Sequence, residues 1–400
     1  MNSRRTNLKH RSHASAHRAW RGEKYRVSRG EKHRARRGAM VVAVMFFLLI
    51  GGLMGALVLN WAELIVVQRT LAGRADAMAL AATPSLLDPG VLAGLPPNPS
   101  ADFLNAESVA DQYRVANNNS GSSTYDVAAG DLTLTAGHLL NATLPPTPAN
   151  FVAATPYDVL RVDIDRTTAD GHPVTQLITS FWNMIGTDVT ATSFATVDNR
   201  LVGFRPTAAI NAPVLPIAID ANAWATERTT DGNGNGILEM EVRLACTVSG
   251  VATANGVVIG YDGPVVHAGV INQINDGLGQ SDLPGPNHEL GQITSTMPQT
   301  FPGEQPLTGL FCDDVKNALS ALAAPNNAPP RVFPLYDAAA SSGGNYVIVG
   351  FVAARILQVT QDADSVMLVV EPCYMIHTTA WIDDTATERN PFIYKLSLLK

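Results

Sequence analysis

One uninterrupted apolar segment stands out along the chain. No charged residue occurs at the 25 positions from Gly38 to Ala62, and this segment lies between Arg36-Arg37 and Glu63. A helix rises about 1.5 Å per residue and needs about 20 apolar residues to cross the hydrocarbon layer of a membrane. A core helix of a soluble protein would show a polar face, and residues 39–59 show none. The pattern therefore predicts one transmembrane helix.

The helical pattern continues beyond the apolar segment. Helix-forming residues persist up to Thr83-Pro84, and proline disfavours helix at the residue before it. We therefore predict one helix over 39–82, half in lipid and half outside. Its outer half carries a stripe of apolar residues that can pack either on the rest of the chain or on a neighbouring copy. The stripe consists of Leu64, Val67, Leu71, Ala75, Met78 and Ala82.

The rest of the chain shows short segments that are rich in β-branched residues and often alternate apolar with polar positions, as in Leu160–Asp165. Such segments predict strands with one face on a core. The predicted strands are Tyr157–Ile164, Val174–Trp182, Val189–Val197, Val214–Ile219, Ile237–Val248, Val257–Tyr261, Asn345–Val359, Ser365–Val370 and Phe392–Leu399. Helical patterns cover only Ala106–Arg114, Val266–Leu278 and Asp313–Ala323.

Strands and helices do not alternate regularly, so a parallel α/β architecture is not expected. The predicted fold class is α+β: one N-terminal transmembrane helix that continues as an exposed helix, followed by a mainly antiparallel, β-rich exported body. Proline-rich and glycine-rich stretches at 84–105, 145–148 and 283–306 predict loops or linkers. The predicted segments are a basic cytoplasmic tail (1–38), the membrane helix and its continuation (39–82), a linker with the start of the body (83–156), and two β-rich regions (157–283 and 284–400).

Charge predicts the orientation of the helix. Residues 1–38 hold 13 Lys and Arg against two acids, whereas the remaining 362 residues have a net formal charge of −18. Basic residues stay on the cytoplasmic side, and only Arg69 and Arg74 follow the span closely. We therefore predict a single-pass protein of the inner membrane with a periplasmic or extracytoplasmic body. The alternative is a cleaved signal peptide ending near the small residues 77–82.

The basic tail invites a nucleic-acid interpretation, because Trp20 and Tyr25 lie among its arginines. A basic cluster beside a membrane span is, however, attracted to anionic lipids by about 1 kcal/mol per residue without any specific partner. The lipid bilayer is therefore the partner that we expect, and no specific nucleic acid.

The N-terminal pattern resembles the TadE/TadG-like proteins of tight-adherence (Flp) pilus assembly. The matching segments are Arg36-Arg37-Gly38-Ala39, the apolar span, Gln68-Arg69-Thr70-Leu71 and Asp76-Ala77-Met78-Ala79-Leu80-Ala81. Together they cover about 45 residues. The resemblance implies a non-catalytic structural role in pilus or cell-envelope assembly, with other envelope proteins as partners. Self-association through the long helix is expected from its apolar stripe.

Segments of the body are also similar to TadG-like chains. They are Phe181–Val189, Ala191–Ala195, Arg331–Tyr336, Tyr346–Phe351 and Arg355-Ile356. Two family features do not match. Prepilin-type members carry Glu five residues after the glycine, where this chain has Ala43, and the Asp-x-Ser-x-Ser metal motif of some longer members does not occur. Neither prepilin-peptidase processing nor that metal site is therefore expected.

The sharpest local motif is the segment Asp231-Gly-Asn233-Gly-Asn235-Gly236. Oxygen ligands at positions 1, 3 and 5 and glycine at position 6 are typical of calcium loops. Position 12, which should supply a bidentate acid, is Val242, and Glu241 is one residue away. The candidate ligands are therefore Asp231, Asn233, Asn235 and Glu241, and this weak calcium site is the only cofactor that the sequence suggests. The alternative is a glycine-asparagine turn that leads into a strand.

Cys246, Cys312 and Cys373 predict one disulfide and one spare thiol in an oxidising compartment, and the pairing stays open. No nucleophile, zinc or dinucleotide motif occurs, so we predict no catalytic residues and no enzyme activity. The histidines are scattered and are expected to be structural. The alternative function is a membrane-tethered extracytoplasmic enzyme or ligand-binding protein, which would require polar groups that converge on one pocket.

Overall fold

The computed structural model describes residues 29–118, 125–141, 149–174, 186–291, 293–325, 327–383 and 385–399, with side chains from residue 40 onward. The chain divides into two units, Met1–Ala62 and Glu63–Lys400. The described α-helices are α1 (Arg29–Ala82), α2 (Pro89–Leu92), α3 (Pro99–Asn118), α4 (Ala221–Thr226), α5 (His267–Asp276) and α6 (Leu310–Leu322). Short 3-10 helices cover Thr83–Leu86, Ala129–Asp131, Gly250–Thr253 and Gln280–Asp282.

Fifteen strands are described. They are β1 (Leu132–Leu139), β2 (Phe151–Val152), β3 (Val159–Arg166), β4 (Val189–Asp198), β5 (Leu201–Phe204), β6 (Ile217–Asp220), β7 (Met240–Ala245), β8 (Gly256–Ile259), β9 (Gln299–Glu304), β10 (Arg331–Ser342), β11 (Asn345–Gln361), β12 (Ser365–Pro372), β13 (Met375–Ile376), β14 (Ala380–Ile382) and β15 (Ile393–Leu399). Most strand pairs are antiparallel, which confirms the predicted α+β class with a long apolar N-terminal helix and a β-rich body.

The first sheet has six strands in the order β13-β15-β4-β3-β1-β2. The C-terminal half of α1 and helix α3 supply side chains to a hydrophobic cluster with this sheet. The predicted stripe is what α1 buries, because Val67, Leu71, Ala75 and Ala82 are fully buried and Met78 is 1% exposed. The stripe could have packed on the body or on a neighbouring copy. In the structure it packs on the body of the same chain.

The second sheet has seven strands in the order β10-β6-β8-β7-β12-β11-β9, and an additional β10–β11 pairing closes six of these strands into a ring. All six strands of the ring contribute to one hydrophobic cluster, which also includes residues of α5 and α6. A second cluster lies on the other side of β6, β8, β10 and β11 and includes the small β5–β14 sheet. The ring uses strands from both 157–283 and 284–400, so these two segments share one sheet.

Several local expectations differ from the structure. Residues 84–105, which the composition predicts as a linker, contain α2 and the start of α3, because proline is compatible with the first turn of a helix. The stretch 283–306 contains β9, which pairs with both β8 and β11. Of the predicted strand Val174–Trp182, residues 175–182 lie outside the described part of the chain, and Val174 forms an isolated bridge with Thr187.

The burial of Leu71 yields a prediction for stability. Leu71→Ala should lower the free energy of unfolding of the detergent-solubilised chain by about 2–5 kcal/mol, because it leaves a cavity between α1 and the first sheet. Denaturant unfolding followed by circular dichroism measures this change. The matched control is Leu104→Ala on α3, whose side chain is 63% exposed and which should stay within about 0.5 kcal/mol of the wild type. Equal effects of the two substitutions would contradict the described packing.

Candidate membrane anchor and candidate ligand sites

The first half of α1 presents an apolar surface on all sides. Its large hydrophobic side chains from Met40 to Trp61 are exposed, among them Phe47 at 74% and Leu48 at 70%. Among the described residues, α1 is the one helix that is long and apolar enough to cross a membrane, and none of its most apolar window is buried. Soluble monomers rarely expose contiguous apolar patches of this size. This surface is therefore the candidate membrane anchor.

The second half of α1 contacts the body through hydrogen bonds in addition to its apolar stripe. The guanidinium of Arg74 donates to the side-chain oxygen of Asn118 at 3.1 Å and to the carbonyls of Asn117, at 3.0 Å, and Tyr125. The carboxylate of Asp76 accepts a 2.7 Å hydrogen bond from the hydroxyl of Ser193 on β4. Asp76 belongs to a segment that carries the family resemblance, and here its side chain positions the helix on the sheet.

The loop 231–238 is tightly organised. Oδ1 of Asp231 accepts hydrogen bonds from the backbone N–H groups of Gly234 and Asn235, and Oδ2 accepts one from Gly236. Gly234 and Gly236 have φ values of 76° and 86°, which favour glycine. A bridge between Thr230 and Glu239 closes the loop. Asp231 and both glycines thus serve the turn that the alternative interpretation required.

Two buried carboxylates lie against this loop. Glu239 is 4% exposed and Glu371 is 2% exposed. The side-chain amides of Asn233 and Asn235 donate to Oε2 of Glu371 at 2.6 and 2.7 Å. Glu239 faces the loop backbone, because a Cβ atom placed on Gly232 would lie 2.9 Å from its Oε2. The structure therefore brings Asn233 and Asn235 together with two acids that the sequence did not nominate.

Glu241, the predicted fourth ligand, lies elsewhere. Its side chain is 44% exposed and its Oε1 is 2.5 Å from Nε of Arg243. The position of Glu239 at the end of the loop could have identified it from the sequence. Glu371 could not be identified from neighbouring residues, because it belongs to β12 and reaches the loop through strand pairing. Among the described residues, no three His, Cys, Asp or Glu side chains form a group that could hold a metal by themselves.

A cavity of about 450 Å³ opens beside the first sheet. Asp158, Asp198, Arg200 and Arg389 contribute to its lining. Arg200 donates through Nε to both carboxylate oxygens of Asp198, at 3.0 and 3.2 Å, whereas Nη1 of Arg389 is 3.9 Å from Asp158. Burial raises the pKa of Asp158 to about 6, although Arg389 opposes the shift. The cavity thus holds two ion pairs, and the carboxyl group of one of them, Asp158, has a pKa of about 6.

The cysteines form one disulfide, between Cys246 and Cys312, which links the end of β7 to α6. Cys373 is free and buried, and burial raises the pKa of its thiol to about 12. A thiol with this pKa stays protonated at neutral pH and is a poor nucleophile.

The five described histidines with side-chain contacts do not converge. The ring of each one forms a hydrogen bond with a different residue. The pairs are His138 with Ala154, His172 with Asp131, His267 with Glu304, His288 with Leu283 and His377 with Thr379. Such contacts are those of structural histidines.

Comparisons with known proteins do not assign this chain to a family. No family model matches it, and neither curated proteins nor solved structures give a match.

The raised pKa of Asp158 predicts a pH dependence of stability. A carboxyl group whose folded-state pKa exceeds its unfolded value near 4 contributes stability that is complete below pH 4 and is lost as the pH rises through about 6. Asp158→Asn should therefore raise the free energy of unfolding at pH 7.5 relative to the wild type, by up to about 3 kcal/mol, and much less at pH 4. Denaturant titrations of both proteins at the two pH values measure the difference.

The control for this pH dependence is Asp188→Asn. Hydrogen bonds from Thr168 lower the pKa of Asp188, so its contribution to stability is present above pH 4 and is lost as the pH falls further. Asp188→Asn should therefore give no gain at pH 7.5. A gain of the same size for both variants would show that loss of any negative charge is sufficient.

Proposed function

We propose that this chain is a single-pass, membrane-anchored structural protein of a bacterial cell envelope, and that it acts without catalysis in assembly of an Flp/Tad-type pilus or a related surface structure. The observation that carries this proposal is the change in surroundings along α1. Residues 40–62 expose apolar side chains on every side, whereas the stripe from Val67 to Ala82 is buried in the body. One helix thereby provides both a membrane anchor and part of the folded core.

Two features support an extracytoplasmic body. The basic residues cluster before the span, and the cytoplasmic side retains such clusters. The disulfide between Cys246 and Cys312 belongs to the body, and disulfides persist in oxidising compartments such as the periplasm.

The role in pilus or envelope assembly rests on the resemblance of residues 36–81 to TadE/TadG-like proteins. In these proteins the hydrophobic span and its polar continuation precede an exported portion. Arg74 contacts the end of α3 and Asp76 contacts Ser193 on β4, and these contacts support a continuation of the span that belongs to the folded body. Lateral contacts of the span with other envelope proteins are then the expected mode of assembly.

A second candidate function has one observation in its favour. The cavity holds two ion pairs, and one of them includes Asp158, whose carboxyl group has a raised pKa; groups with perturbed pKa values are enriched at functional sites. A membrane-tethered ligand-binding protein or enzyme would use this cavity.

Membrane topology tests the anchor. In spheroplasts, the chain should stay in the pellet after an alkaline carbonate wash, and external protease should digest the body while an N-terminal tag stays protected. Leu48→Arg combined with Leu49→Arg should release a large fraction into the soluble phase, because each arginine costs about 2.5–3.5 kcal/mol at the centre of a span. Leu104→Arg, on an exposed position of α3, is the control and should leave the chain in the pellet. A wild-type chain that carbonate removes and external protease spares would overturn the proposal.

Association with other envelope components tests the assembly role. We expect the chain, cross-linked in cells and purified in mild detergent, to carry other envelope proteins or further copies of itself, and deletion of its gene to reduce surface pili. A photo-reactive residue at Phe47, within the exposed apolar surface, should form these cross-links, whereas one at Val248, an exposed position of the body, serves as the comparison. Recovery only as a single species, with normal pili in the deletion strain, would favour the second candidate function.

A further inference from the structure

Glu239 presents an unusual electrostatic problem. Its side chain is 96% buried, and its Oε1 has no hydrogen-bond partner among the described residues. Burial of a carboxylate without a partner is costly, and buried charges in proteins are paired or coordinate metals. The carboxylate faces Gly232, within the loop that begins at Asp231. A Cβ atom placed on Gly232 would lie 2.9 Å from Oε2 and 3.5 Å from the unsatisfied Oε1, so this oxygen lies beside the segment whose sequence has the oxygen spacing of a calcium loop.

A second buried acid lies on the same side of the sheet. Val370 of β12 pairs with Met240 of β7, so Glu371 and Glu239 occupy the next cross-strand positions. Glu371 accepts from the two loop amides, and Nη1 of Arg355 is 4.0 Å from its Oε1. Among the described residues, one partly exposed guanidinium is therefore the only cation paired with either of these two buried carboxylates. The site has an excess of negative charge, which a divalent cation would neutralise.

Further oxygen ligands are present on the loop. The side-chain oxygens of Asn233 and Asn235 accept single hydrogen bonds, from the backbone N–H groups of Asn235 and Ile237 respectively. An amide oxygen has two lone pairs, so each can also contact a cation. Carboxylate and amide oxygens are the ligands that calcium takes, six to eight at a time and with flexible geometry.

We propose that the loop 231–238 together with Glu239 and Glu371 forms a calcium site. Glu239 and Glu371 supply the charge, and Asn233 and Asn235 supply amide oxygens. Glu241 is not a ligand, because its carboxylate pairs with Arg243 and faces solvent. Magnesium fits this set less well, since it demands near-ideal octahedral geometry at shorter distances. The dissociation constant expected for a site of this kind is about 10⁻⁴ to 10⁻³ M.

Calorimetric titration of the full chain in a non-ionic detergent with calcium chloride tests the site. The wild-type chain should bind one calcium ion, and calcium at 10-fold excess over its dissociation constant, but not magnesium at the same concentration, should raise the thermal unfolding midpoint by a few degrees. Glu239→Gln should weaken calcium binding about ten-fold or more, because it removes one of the two buried charges. Glu241→Gln makes the same chemical change two residues away and should bind calcium as the wild type does.

A second measurement separates a lost ligand from a lost fold. Without calcium, Glu239→Gln should unfold at the wild-type temperature or above it, because the substitution removes a buried charge that has no partner. Its calcium-dependent rise in the midpoint, measured at the same calcium concentration, should nevertheless fall to about a third of the wild-type rise or less. A wild-type chain that binds no calcium at 10 mM, or a Glu241→Gln chain that loses binding as Glu239→Gln does, would overturn the proposal. So would a Glu239→Gln chain that keeps the full calcium response.

Discussion

The architecture depends on one helix, α1, that carries two different kinds of surface. Every backbone N–H and C=O group in a membrane span has to be bonded within the span, which a continuous helix achieves. The same helix leaves the apolar segment and meets a sheet, where a stripe spaced by three or four residues is required instead of apolar residues all round. Within α1 the large hydrophobic side chains from Met40 to Trp61 are exposed, whereas Val67, Leu71 and Ala75 are buried. The first sheet is therefore built around a surface that α1 supplies.

The second sheet closes on itself. A sheet with free edges exposes unpaired backbone groups, and closure into a ring removes those edges. The β10–β11 pairing closes the ring, and its interior cluster receives side chains from every strand of the ring. The disulfide from Cys246 to Cys312 then ties α6 to β7 at the rim of the same cluster. In the described part of the chain, no side chain of α1 belongs to this cluster.

Local patterns in the sequence predicted much of the fold, and pairing between distant segments did not follow from them. The long helix, β3, β4, β11 and β12 follow from periodicity within ten to twenty residues. Strand β1 shows the alternation Leu132-Thr-Leu134-Thr that could have identified it. Strand β9 could not be identified in this way, because Pro302-Gly303 is typical of a loop. The proline is tolerated there since its carbonyl still accepts a hydrogen bond from Gly260.

In the candidate calcium site, too, the local loop could be predicted from the sequence, whereas its contacts with distant residues could not. The loop itself follows from Asp231, Asn233, Asn235 and the glycines, because all of these act within a few residues. Alternation along a strand would place Glu239 and Glu241 in similar surroundings. Glu239 lies just before β7 and bridges to Thr230, so the loop covers it, whereas the side chain of Glu241 is 44% exposed. Glu371 reaches the site only because β12 pairs with β7 in one register.

The polar contacts of α1 explain how the helix acquires one orientation on the first sheet. A stripe of small and aliphatic residues such as Ala75, Ala79 and Ala82 packs nearly as well after a shift of one turn, since apolar contact is non-directional. Hydrogen bonds are directional, and a buried polar group that loses its partner carries a desolvation penalty of about 1–3 kcal/mol. A one-turn shift would separate Asp76 from Ser193 and Arg74 from the end of α3 at the same time. The apolar stripe therefore provides the affinity of the helix for the sheet, and these two side chains fix its register.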